Sequence, residues 1–184
     1  MKRWNGWGNV NTDYPVPAPA LEYLNNAIGN LEQIPDATRD GILAAVPGSR
    51  LPAHPLVDMS AETRLTHARG QSTRDWVDLR HGRIDTFPDG VAFPETAEAV
   101  RDLLKYAHAA KAYVIPYGGG TSVVGHITPP KTDVPVLTLS LEKMTRLLDL
   151  DETSRLATFE AGVAGPQLEE QLKACTAELE KERA

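Results

Sequence analysis

Apolar positions fall into two regimes: a first third with little periodicity, and a remainder from Phe87 in which strand and helix patterns alternate. Val91, Ala92 and Phe93 stand between Gly90 and Pro94, an apolar run bounded by breakers, and predict a short buried strand. Val100, Leu103, Leu104 and Ala107 then recur at i, i+3, i+4 and i+7, one stripe of a helix. Thr96 stands where it can cap that helix, and Glu98 lies at its positive end. Lys111 ends it, and Tyr113, Val114 and Ile115 give a second strand that runs directly into Gly118, Gly119 and Gly120. Strand, helix and strand within about 25 residues predict a parallel crossover unit. A third strand is expected at 136–139, after the PPKTDVP linker. Residues 146–150 and 156–160 flank the polar run Asp151, Glu152, Thr153 and Ser154 and predict an antiparallel hairpin. A last helix starts near Gly165, with Pro166 in its first turn and Leu168, Leu172, Cys175 and Leu179 on one face.

The first third reads differently because seven of the 14 prolines lie at or before Pro55, and proline both fixes φ and removes an amide donor. An irregular, extended N-terminal arm is expected over residues 1–84, with short helices at 21–31 and 36–46 where leucine and isoleucine recur. Residues 85–184 would form the patterned domain, giving an α+β fold with a parallel β-α-β unit and an antiparallel hairpin.

Composition narrows the function classes. No stretch of the 184 residues approaches the roughly 20 consecutive apolar positions of a bilayer-spanning helix. Lys2 and Arg3 are followed by no apolar run of the secretory kind, so the expected location is the cytoplasm. The single cysteine, Cys175, cannot form an internal disulfide or a multi-thiolate metal centre. A net charge of −6 without a Lys/Arg cluster argues against nucleic acid as a partner. Any anionic ligand must therefore be held locally, by backbone amides or helix ends.

The segment suited to that task is PYGGGTSVVGH, residues 116–126, at the carboxyl end of a predicted parallel strand, where open α/β sheets bind ligands. Without Cβ atoms, Gly118, Gly119 and Gly120 can adopt positive φ and let successive N–H groups converge into an anion-binding nest, while Thr121 and Ser122 add hydroxyls. A pyrophosphate suits such a loop. Two better-known phosphate loops fail on spacing. The dinucleotide fingerprint needs Gly or Ala where Val123 stands, and the P-loop needs Lys and Ser/Thr where His126 and Ile127 stand. The competing reading is a glycine-rich turn with no ligand.

These residues carry a resemblance. PYGGGTSVVGH, with FPDGVAFPETAEAV before it and LEKMTRLLDLDETSRLATFEAGVAGPQLEEQL after it, closely resembles the FAD-linked oxidases of the vanillyl-alcohol oxidase superfamily, especially the alkyldihydroxyacetonephosphate synthase-like branch. RWNGWG at 3–8 and HARGQSTRDWVDLRHGRIDTFPDG at 67–90 are similar to the same branch. The resemblance implies a PCMH-type FAD-binding domain: a first subdomain around the β-α-β unit, and the start of a second, antiparallel one. It implies FAD contact at Pro116, Tyr117, Gly118, Gly119, Gly120, Thr121 and Ser122, with Gly125 and His126 as secondary candidates. Some relatives attach the flavin through a histidine after two glycines of this loop. The matching residue is Gly120, which implies non-covalent binding, and His126 is expected to cap or pack against the loop.

The family's further flavin contacts, its substrate-binding cap and its catalytic residues have no counterparts in these 184 residues, so the chain is expected to be an N-terminal portion or a truncated product. Two functions follow from the resemblance: the FAD-binding part of a flavin-dependent oxidoreductase acting on a small molecule, or an alkyldihydroxyacetonephosphate synthase-like transferase in which the flavin serves alkyl exchange. The chain alone could also be an inactive remnant, and the hairpin near Leu156 would leave a sheet edge open to self-association.

Other candidates carry less. The five histidines are dispersed, without the i+3 or i+4 partner of a helical metal site, so no metal is expected, and His108 is read as solvated or hydrogen-bonded. Ser122 lacks the G-x-S-x-G order of a nucleophile elbow. Arg69, Gln71, Arg74, Asp75 and Arg80 read either as a clamp between segments or as a solvated face. Trp4 and Trp7 are expected to anchor the arm by burying ring surface.

Overall fold

The computed structural model describes residues 3–6, 8–11, 15–29 and 34–182. Trp7 and Leu31 lie outside the described residues, as does the side chain of Leu179. The main sheet has four strands in the order β1–β2–β4–β3. They are β1 (Val57–Asp58), β2 (Gly90–Ala92), β3 (Tyr113–Tyr117) and β4 (Val136–Ser140). β2 and β3 are each parallel to β4, and β1 pairs antiparallel to β2. The predicted strands are present, but β4 inserts between the two strands expected to form one crossover unit. β4 is buried at every position, as a central parallel strand should be.

Four helices precede β2: α1 (Ala18–Ile28), α2 (Arg39–Ala45), α3 (Ala61–Thr66) and α4 (Thr73–Arg80). The first two match the expected helices, with shifted ends. α3, α4 and β1 were not foreseen, because they are short and α3 and α4 carry few apolar residues. Their caps were legible: Ser60 accepts from the Thr63 amide at 3.3 Å, and Ser72 and Asp75 exchange the two bonds of a capping box. The first third is thus more regular than its prolines suggest and supplies one strand of the sheet.

α5 (Ala97–Ala109) follows β2, capped by the Thr96 hydroxyl, which accepts from the Ala99 amide at 3.1 Å. Leu103 and Ala107 pack on Leu51, Ala92, Leu137 and Leu139, and Val100 flanks them. Leu104, expected on the same stripe, is 47% exposed. It stands about 100° around the helix from Leu103, and so turns away from the sheet. Two further clusters lie elsewhere: Ile42, Leu65, Ala68 and Phe87 beside Trp4, and Ile115, Ile127 and Val136 beside Tyr117.

β5 (Leu147–Asp151) and β6 (Leu156–Phe159) form the antiparallel hairpin as a separate two-stranded sheet, followed by α6 (Gly165–Glu182). The helix is tied to the hairpin through Gln171, whose side chain donates to the Thr145 carbonyl at 2.8 Å and accepts from the Leu147 amide at 2.9 Å. Gly162 joins the hairpin to the main sheet: a Cβ there would collide with the Leu141 carbonyl just beyond β4.

Candidate functional site

The glycine bend begins where edge strand β3 runs out. An edge position tolerates Pro116, which lacks the donor a central strand requires. Tyr117 still belongs to the ladder, its carbonyl accepting from the Leu141 amide at 2.9 Å, and the chain then leaves the sheet. Gly118 and Gly119 are exposed, whereas Gly120 is buried and turns at φ +71°. Two constraints demand glycine at 120: the left-handed backbone, and the Tyr117 ring folded beneath the bend, into which a Cβ would run.

Burial of Tyr117, with some help from Glu142, pushes its phenol up to about 12. The hydroxyl therefore remains protonated at any ordinary pH. Its ring lies 4.6 Å from that of His67 at 49°, and its oxygen is 3.5 Å from the Thr66 carbonyl.

Main-chain donors give the bend its chemical character. Among the described residues, none of the N–H groups of Gly118, Gly119, Gly120, Thr121 and Ser122 donates to another residue. Consecutive unused amides around a positive-φ glycine are the donor set for an anion. They fit a diphosphate, whose oxygens accept and need no proton.

The loop is fastened on its far side. The Ser122 carbonyl accepts from the Gln71 amide at 2.6 Å, and a Cβ at Gly70 would collide with that carbonyl. The Gln71 side chain in turn accepts from Trp76 Nε1 at 2.8 Å. Ser122 Oγ and the exposed His126 Nδ1 share a hydrogen bond of 3.1 Å, so that of the two roles expected of His126 it caps the loop rather than packing against it.

A cavity of about 270 Å³ opens beside the bend. Tyr117, Gly119, Gly120 and Thr121 form one wall; Thr66 and Gln71, with Arg3, Trp4, Gly6, Gly8 and Asn9, form the rest. Of the seven expected contact residues the cavity gathers four, while Pro116, Gly118 and Ser122 are not among its lining residues. Sequence reasoning missed the contribution of Arg3, Gly6, Gly8, Asn9 and Thr66. The available signal was RWNGWG, whose two glycines mark a tight turn.

The charged block splits between its two readings. Arg69 is buried and donates to the Thr86 carbonyl at 2.8 Å, Asp75 is buried in its capping box, and Gln71 holds the loop. Arg74 and Arg80 are exposed. Trp4 packs beside the Ile42–Phe87 cluster, and His108 is exposed, as expected. Among the described residues, no three His, Cys, Asp or Glu side chains cluster to hold a metal, and no helix is long and apolar enough to cross a membrane.

A parallel strand that ends in an amide-rich glycine bend, followed by an antiparallel hairpin, defines a nucleotide-binding α+β domain. Residues 88–179 match the FAD binding domain family, and the chain belongs to it. FAD, the cofactor expected from the resemblance, is the ligand that family is described by. Alkyldihydroxyacetonephosphate synthase of Trypanosoma brucei brucei is 28% identical over 204 residues, covering 92% of this chain and 33% of that protein. The Dictyostelium discoideum protein of the same name is 31% identical over 157 residues, covering 84% of this chain and 24% of its own. A mitochondrial D-lactate dehydrogenase (cytochrome) of Arabidopsis thaliana is 35% identical over 86 residues, 47% of this chain and 15% of that protein. A solved alkyldihydroxyacetonephosphate synthase superposes with a TM-score of 0.75 at 22% identity, covering 94% of this chain and 38% of the other. The fold is therefore the PCMH-type FAD-binding fold. The chain spans about a third or less of the curated relatives it matches.

Proposed function

We propose that this chain is the diphosphate-binding wall of an FAD-dependent oxidoreductase and holds the cofactor non-covalently. The N–H groups of Gly118, Gly119, Gly120, Thr121 and Ser122 donate to the diphosphate, and Pro116 and Tyr117 set the path of the bend. The observation that carries this reading is a bend with Gly120 at φ +71° whose amides from 118 to 122 donate to no other described residue, with Gly119, Gly120 and Thr121 lining a cavity. Bound flavin supplies two-electron redox chemistry, and the protein's part is to position it. Residues 1–84 serve as an arm that buttresses the loop through Gln71.

The chain by itself holds FAD weakly and turns nothing over; the substrate, a small molecule, is selected by regions of the longer relatives without a counterpart here. Self-association follows from the hairpin edge, where Leu148 and Leu156 are exposed. Titration with FAD and ADP, followed by acid precipitation, tests the reading. Saturable binding with all flavin released to the supernatant is expected. Tight stoichiometric flavin, or flavin retained on the precipitate, would contradict it, and sedimentation over a concentration series tests association.

A synthase-like transferase is the second reading. It is favoured by the extent of the matches: the two synthases cover 92% and 84% of the chain, arm included, against 47% for the D-lactate dehydrogenase.

A further inference from the structure

We infer that Arg3, on the N-terminal segment facing the glycine bend, supplies the positive charge that neutralises the diphosphate; the inference rests on the flavin reading above and deepens it. The bend is built from neutral donors alone, since no Lys or Arg occurs from Pro116 to Pro130, and the chain as a whole carries −6. Amides can orient a diphosphate, but a cation strengthens the hydrogen bonds and cancels the charge. Among the described residues that line the cavity, Arg3 is the one with a charged side chain.

Local structure brings it there. The Arg3 amide donates to the Gly8 carbonyl and Arg3 Nε donates to the Asn9 carbonyl, both at 3.0 Å, so the segment closes on itself at Gly8, whose φ is +82°. Trp4, the next residue, packs beside Ile42, Leu65, Ala68 and Phe87 and fixes the segment to the body. Arg3 thus lines the same cavity as Gly119, Gly120 and Thr121 from a separate, anchored stretch of chain. Neither half alone encloses an anion.

The test is titration of the wild-type chain, R3Q and R3K with ADP and FAD at two salt concentrations, with far-UV circular dichroism to verify folding. R3Q is expected to weaken both ligands about tenfold or more and to flatten the salt dependence, while R3K stays within a few-fold of wild type. Wild-type affinity and salt dependence in R3Q would overturn the inference and leave the flavin reading intact. Equal loss in R3K and R3Q with an unchanged salt slope would also overturn it, because that outcome marks a purely structural role. A wild-type chain that binds neither ADP nor FAD up to about millimolar concentration would overturn the flavin reading and this inference with it.

Discussion

The Arg50 guanidinium meets the Asp89 carboxylate at two points, Nε to Oδ1 at 2.8 Å and Nη2 to Oδ2 at 2.7 Å, and so ties the N-terminal third to the root of β2. Asp89 is nearly fully buried and also accepts from the Arg50 and Val136 amides, at 2.9 and 2.8 Å. One carboxylate thereby organises the arm and the starts of β2 and β4, the strand that β3 pairs against. Replacing Asp89 with Asn leaves a half-exposed arginine without its counter-charge and weakens two amide contacts. Because Arg50 can still reach solvent, the cost should fall somewhat below that of breaking a fully buried pair, at about 2 to 4 kcal/mol. Urea denaturation of D89N against wild type measures it.

The same pair sets the acid limit of the fold. Desolvation raises the Asp89 carboxyl, but the hydrogen bonds from Arg50 and the Val136 amide, with the charge of Arg50, outweigh it and leave the group below its ordinary value. A depressed carboxylate contributes stability that is fully present above the unfolded value of about 3.9 and is lost as pH falls through the folded one. Wild type should therefore lose stability progressively below about pH 5, and D89N should show a shallower loss over that range. Thermal melts from pH 7 downward would reveal the difference in slope; parallel curves would contradict it.

The patterned part of the chain was legible because burial there is decided by periodicity. Val91, Leu103, Ala107 and 136–139 all enter the core as their spacing requires. The arm was harder to read, since its order comes from polar and backbone contacts between distant residues. Arg64 donates to the Pro88 and Pro47 carbonyls, Gln71 to Ser122, and Arg50 to Asp89, and none of these leaves a periodic trace. The site divides the same way. Tripled glycine announced the bend, but the opposite wall is supplied by two distant stretches, residues 3–9 and Thr66 with Gln71. Packing of Trp4 on the Ile42–Phe87 cluster and the bond from the Gln71 amide to the Ser122 carbonyl bring the two walls together.

Neighbouring glycines of the bend should respond unequally to alanine. Gly120 combines φ +71° with a Cβ position already taken by the Tyr117 ring, so G120A should lose about 1 to 3 kcal/mol and most of its affinity for ADP. At Gly119 a Cβ would sit 3.9 Å from Thr121 Cγ2, ordinary contact distance, so G119A should change stability by less than about 0.5 kcal/mol. Chemical denaturation of both variants beside an ADP titration checks the contrast; equal effects would mean that the bend lacks this geometry.

Gly70 should act on the loop without touching any ligand. A Cβ there collides with the Ser122 carbonyl, and relieving the clash must lengthen or break the 2.6 Å bond from the Gln71 amide. G70A is expected to raise amide exchange in residues 118–126 while protection in β4 is retained. Hydrogen-exchange mass spectrometry of the two proteins distinguishes local release from global unfolding, in which every segment would lose protection together.

Tyr117 offers an optical report of the packing under the bend. Among the described tyrosines, burial raises the phenols of Tyr106 and Tyr117, that of Tyr117 up to about 12. The ionised form would have to be accommodated between the bend and the His67 ring. Absorbance near 295 nm, followed as pH rises, should therefore include a late phenol step near pH 12, and Y117F should remove that step. In wild type the late step should coincide with loss of the fold, since a charged phenolate cannot remain under Gly120. The absence of any late step that Y117F removes, with the fold intact, would mean that the ring does not lie beneath the bend.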